Sequence, residues 1–391
     1  MNFACKPRAL TARPVSLTTG LVVAVFVCAL LPNPTAASSP VAATPTSVTS
    51  FPSPDAPSGL TADQAVQGSR TQTAASSTLG VPVAASLELS AGTRIGYLLN
   101  STGKRTASRS VLLEAPEAAS ATRRYRRNGN TYYLLSWGPL AGHWVRKAAG
   151  SRLIRATAWK VLVMVYRQTN LEFVDASGQR RHLGATMSAA TEKLMVGAVK
   201  SMPKLTRQWS SGVVAQQMTV VRPGTPLLRL TALGGGAYWL APEDIAADIA
   251  VYAPASSYDS IMVIWQPWDA EDYVSSWGWG LAFPAGPASN GSAYSTVTVP
   301  PRGNSSWISG KPHQGEPFMH EWLHGVIDHH ASNGSDTPDL HADARYGYVE
   351  QDGTWSRWYG DLMKQHVPDP LNGAHVGISY LDWRSGTITS R

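Results

Sequence analysis

The sequence predicts an α+β protein: a small all-β module followed by a larger domain of mixed sheet and helices. Three observations lead there. A basic stretch from residue 87 alternates short β-forming runs with tight turns. From about Ala156, β-forming and helical patterns alternate. Near the C-terminus, His320-Glu321-Trp322-Leu323-His324 lies in a helix-forming stretch, and eight of the ten histidines fall between His313 and His375.

Residues 1–37 have the three-part layout of a secretory signal. Lys6, Arg8 and Arg13 precede an apolar run at residues 21–31, and Thr35-Ala36-Ala37 offers small residues for cleavage. Eleven apolar residues are too few for a membrane span, which needs about 20. Export is therefore expected, with no transmembrane segment in the mature chain and a secreted or wall-associated location. Cys5 and Cys28 are the only cysteines and would leave with the signal. A Cys-ligated metal and a disulfide framework are thereby excluded. The net charge is +7, and three of the positive residues belong to the signal. The remainder stays mildly basic, which favours anionic surfaces.

Residues 38–86 are rich in Ser, Thr, Pro and Ala, without a sustained apolar period, and read as a linker. Residues 87–150 read as a basic β module. Runs at 89–99 and 110–114 are strand-like. Asn128-Gly129 between Arg/Tyr-rich and Tyr/Leu-rich runs is a hairpin signal. Between Arg94 and Lys147 there are ten Lys/Arg against Glu114 and Glu117, a local excess of about +8 by counting. This predicts contact with a cell wall or anionic polysaccharide, or else a solvated basic face. No motif supports a nucleic-acid partner.

In residues 151–391, strands are expected at 159–166, 171–174, 213–221, 227–233, 260–265 and 294–299. A helix is expected over 188–209, kinked or ended by Pro203, and a shorter one over 242–250. Eleven of the fourteen tryptophans lie from Trp209 onward, and most of these are expected in core and loop packing. A further helix should start at Pro317 and stop near Asn333-Gly334. A last one should carry Trp355, Trp358, Tyr359 and Met363.

The chemistry concentrates on the helix that starts at Pro317. Histidines four apart project about 40° apart around a helix, so His320 and His324 can share one Zn2+. Glu321 between them can activate a zinc-bound water as general base. A catalytic zinc needs a third protein ligand and an open position. His330 lies ten residues after His320, about 80° to the other side if the helix continues. His341 follows the Asn333-Gly334 turn and can fold back. The geometry favours His341, with His330 as the alternative. Tyr346 and Tyr348 are candidates to donate to an oxyanion.

HExxH in an α/β context resembles the zincin superfamily of metallopeptidases. His320 to His330 resembles the metzincin pattern HExxHxxGxxH. It departs there, because the pattern's Gly position holds Ile327 and the glycine is Gly325. HEWLH with Leu340-His341 and Tyr346-Gly347-Tyr348 looks like a group of secreted bacterial zincin-like proteins. The 87–150 stretch resembles small SH3-like modules of bacterial cell-wall enzymes. The resemblance implies a zinc-dependent metallopeptidase acting on a protein or peptide. It also implies an edge strand that holds substrate, expected around 294–299 or the Gly-rich stretch before it. The alternatives are a zinc-dependent cell-wall amidase and a non-catalytic surface-binding protein.

Overall fold

The computed structural model describes residues 79–136, 138–148, 151–275, 280–301, 308, 313–349 and 355–390. The signal, most of the linker and Trp277-Gly278-Trp279 lie outside the described residues. The described parts all belong to one unit, Thr61–Arg391, a mixed α+β fold with a large antiparallel sheet and few helices.

The large sheet comprises β1 (Val81–Leu89), β2 (Gly92–Leu99), β3 (Arg105–Leu113), β4 (Glu117–Arg127), β5 (Asn130–Leu135), β6 (Trp144–Arg146) and β7 (Ser151–Leu153). Its order is β3-β2-β6-β5-β4-β1-β7. Two expected boundaries move. β1 begins inside the stretch read as linker, and β7 lies beyond residue 150. The cause is pairing at a distance: Val81 sits opposite Arg124, and Leu87 lies between Ala119 and Leu153. The first residues of β1 are exposed and show no alternation, so local pattern could not reveal them. The hairpin at Asn128-Gly129 forms as expected, both residues having positive φ (47° and 73°). Leu87, Leu89, Leu113, Ala119, Tyr133, Leu135 and Val145 fill the core of this sheet.

The second part is built on β8 (Thr157–Val165), the β9 (Gln168–Val174) and β10 (Arg180–Thr186) hairpin, α1 (Ala189–Val199) and α2 (Met202–Trp209). Next come β11 (Val214–Val221), β12 (Thr231–Gly234), β13 (Ala237–Trp239), α3 (Ala246–Tyr252), β14 (Ser260–Trp265), β15 (Gly280–Phe283) and β16 (Ala293–Thr298). Then follow α4 (Glu316–Ala331), α5 (Ser356–Leu362), β17 (Val367–Pro368), β18 (His375–Val376) and α6 (Tyr380–Ser385). The helix expected over 188–209 is two helices, broken before Pro203, which sits in the first turn of α2.

A five-stranded sheet runs β11-β8-β14-β16-β15. The first four strands are parallel, and β15 closes one edge antiparallel to β16. All six residues of β14 and of β16 are buried. Alternate residues serve two cores, as a strand covered on both faces requires. Met262 and Ile264 face α1, α2 and α4, while Ile261, Val263 and Trp265 face the β9–β10 hairpin and α3. The strand at 294–299 is thus interior, and the edge belongs to β15, just after the Gly-rich stretch. A continuous buried run does not say which strand is outermost.

Glu88 of β1 ties the N-terminal sheet to α6. Its carboxylate pairs with Arg152 at 2.8 Å and accepts a hydrogen bond from the Tyr380 hydroxyl.

Candidate metal centre

Helix α4 forms where the sequence supplies its signals: Pro317 and Glu316 in the first turn, His329 and His330 in the last. Phe318, Met319, Trp322, Leu323 and Val326 bury one face against the sheet. Gly325 lies where the helix crosses β16. A Cβ there would stand 2.5 Å from the Ala293 Cβ, so this glycine permits close approach rather than ending the helix. The helix runs on to Ala331, and Gly334 (φ 90°) reverses the chain.

That reversal brings His341 back over the helix. One ring nitrogen from each of His320, His324 and His341 lies within 4.8 Å of the others. The ring centroids are 4.9–5.0 Å apart. His320 and His324 are half-buried and His341 is exposed, so the cluster opens to solvent on the His341 side. The Nε2 atoms of His320 and His324 are 3.3 Å apart. Nitrogens bound at about 2.0–2.1 Å in a tetrahedral shell would be separated by about 3.3–3.4 Å, so this edge already has the length zinc requires.

Three contacts fix this arrangement. Buried Glu316 accepts from the Trp355 backbone N–H at 2.6 Å, tying the start of α5 to the start of α4. The Trp358 indole donates to the Leu340 carbonyl at 2.8 Å, holding the residue before His341. Asp339 Oδ1 accepts the His341 backbone N–H at 2.8 Å. Tyr359, also on α5, puts its hydroxyl 2.7 Å from His320 Nδ1. A neutral His320 ring that offers Nε2 to a metal carries its proton on Nδ1 and would donate it to that oxygen, so Tyr359 can favour the tautomer a metal needs.

Burial, followed by the neighbouring His324 and His341, lowers the His320 pKa to about 3. Burial and then His341 lower His324 to about 4, against an opposing pull from Asp339. Both are neutral donors at ordinary pH. Burial raises Glu321 to about 8. Its carboxyl group sits beneath the backbone of Gly280 in β15, between helix and edge strand.

Other predicted site residues go elsewhere. His330 is not brought to the cluster. It is 1% exposed and packs between Trp159 and Trp383, with centroids 6.2 and 4.8 Å away. Unbroken helical twist carries it to the sheet side. Tyr346 stacks on Trp358 at 5.9 Å, and Tyr348 packs on the same ring while its hydroxyl donates to Asp361 at 2.8 Å. α5 claims both tyrosines. Sequence reasoning missed Tyr359 as a site residue. Its signal was present: Trp355, Trp358, Tyr359 and Leu362 have the spacing of one helix face, and a core-facing Tyr needs a partner for its hydroxyl.

No protein-family model matches the chain, and no curated protein matches it.

Proposed function

We propose that this chain is a secreted zinc-dependent metallopeptidase with a zincin-like catalytic domain. The observation that carries the reading is the three-histidine cluster, with its 3.3 Å nitrogen–nitrogen edge. The donor set is neutral imidazole on a rigid helix plus one residue from a fixed turn, which suits zinc and leaves a fourth direction open. A sheet with an antiparallel edge strand beside the metal helix supports the zincin-like assignment. The basic N-terminal sheet is read as the module, SH3-like by resemblance, that keeps the enzyme on a wall or matrix.

In this reading His320, His324 and His341 hold the ion, and Tyr359 keeps the His320 ring turned toward it. Zinc supplies a Lewis acid that lowers the pKa of water to about 7 and polarises a carbonyl. An extended peptide pairs with the outer edge of β15, which is the outermost strand among the described residues. Glu321, buried beside that strand, takes a proton from the attacking water and returns it to the departing amine nitrogen. Its burial matches the role, because a carboxyl with a pKa near 8 is a strong enough base once the cation's charge draws off its proton.

The test is Glu321→Gln in the mature chain. The variant should keep zinc and lose peptide hydrolysis by several orders of magnitude. Full hydrolysis by a zinc-loaded Glu321→Gln protein would reject the mechanism. Wall lysis without peptide cleavage by the parent would reassign the substrate to a wall amide.

A further inference from the structure

A second constellation lies on the N-terminal sheet, apart from the histidine cluster. A cavity of about 310 Å³ is lined by Tyr97, Arg105, Tyr125, Arg127, Asn130 and Tyr132, among others. It is built by the β2–β3 turn folding against β4. The Arg127 guanidinium donates to the Gly103 carbonyl, and a Cβ at Gly103 would fall on the Tyr125 hydroxyl. Glycine at 103 therefore lets the turn close one wall. The rings support one another: Tyr97 meets Tyr132 edge-on at 6.3 Å, and Tyr125 meets Trp144 edge-on at 6.0 Å. Trp144 is fully buried, so the aromatic floor is anchored in the sheet.

The charge is one-sided. Arg105 lies over the Tyr97 ring at 5.7 Å. Among the described residues, neither Arg105 nor Arg127 pairs with a carboxylate. Both residues are exposed. Two uncompensated guanidiniums beside apolar rings make a receptor for an anion that also offers an apolar face. The Asn130 side chain adds amide donor and acceptor groups at the rim.

We propose that this cavity binds one residue of an acidic polysaccharide, a sugar carrying a carboxylate. The pyranose CH face stacks on tyrosine, the ring hydroxyls meet the amide, and the carboxylate takes the arginines. Nucleic acid fits less well. Tyr97 and Tyr132 stand 77° apart and give no parallel platform for successive bases. A cavity of 310 Å³ is at the small end for ligand sites, which suits a single ring of a chain that runs on past it. The site owes nothing to zinc chemistry, so its test is separate from that of the peptidase reading.

The test is calorimetric titration of the mature chain with polygalacturonate, with dextran and oligothymidylate as comparison ligands. Saturable binding of polygalacturonate is expected, with no binding of dextran and unchanged binding after chelation. The Arg105→Ala/Arg127→Ala pair should weaken binding by about 10-fold or more. Tyr132→Ala should weaken it also, and Tyr132→Phe should retain most of it. The pair Arg109→Ala/Lys147→Ala removes the same charge outside the cavity and should retain near-parent affinity. All four changed arginine and lysine side chains are exposed, so these pairs should fold. Equal loss in both pairs, tighter binding of oligothymidylate, or no binding of polygalacturonate would each overturn the proposal.

Discussion

Gly280 is the position at which the proposed base can be disturbed without touching a metal ligand. A Cβ added there would fall onto the carboxyl carbon and Oε1 of Glu321, and 2.5 Å from the Thr296 carbonyl oxygen. Non-bonded carbons prefer about 3.5–4.0 Å, so Gly280→Ala demands a displacement of about 1 Å. Thr296 is backbone of β16, the neighbouring strand, and yields little. The Glu321 carboxyl is the softer partner and should give way. A shift of about 1 Å in a catalytic group can cost about 100-fold in rate. The overpacking itself should cost about 1–3 kcal/mol of stability. The assay is kcat on a peptide substrate, with zinc content and melting temperature measured on the same preparation. The expected result is one zinc per chain, a modest drop in melting temperature and kcat lower by about 100-fold. Undiminished kcat would refute the placement of Glu321 as base beneath the edge strand. Loss of zinc together with activity would show that the change acts through the helix instead.

Tyr359→Phe removes only the hydroxyl facing His320, and zinc affinity should fall by about 10–100-fold with the fold intact, as read by competition with a chelating dye. An unchanged affinity would mean the 2.7 Å contact does not orient the ring. The metal-free protein should lose stability in two pH ranges. His320 and His324 are lowered from 6.5 to about 3 and about 4, so the unfolded chain binds more protons and stability falls as pH drops below about 6.5. Glu321 is raised from 4.5 to about 8, so the folded chain holds a proton the unfolded chain gives up. That contribution to stability is lost as pH rises from about 4.5 through about 8. Zinc should abolish the alkaline loss, because a nearby cation favours the carboxylate. Melting curves between pH 4.5 and 8.5, with and without chelator, check this; parallel alkaline slopes would contradict it.

The sequence made helix α4 legible because each of its signals is local. Pro317, the four-residue His spacing and Gly334 mark its start, its face and its end within twenty residues. The preference for His341 over His330 came from helical twist, the displaced glycine and the Asn333-Gly334 turn, and the folded chain brings the rings of His320, His324 and His341 together. What stayed illegible depends on distant partners. β1 owes its start at Val81 to β4, some forty residues on. The Tyr346 and Tyr348 hydroxyl and ring contacts are decided by Trp358 and Asp361, which no spacing rule connects to them. Gly325 stood out only as a glycine displaced from the position the metzincin pattern gives it. Its reason is Ala293 on β16, visible only once helix and strand cross.

Elemental analysis of the purified mature chain, with His341→Ala and His330→Ala measured alongside, decides whether His320, His324 and His341 hold a zinc ion. One zinc per parent chain is expected, with loss of tight zinc in His341→Ala and full retention in His330→Ala, whose cost falls on stability. A zinc-free parent, or zinc lost from His330→Ala and kept by His341→Ala, would contradict that ligand set.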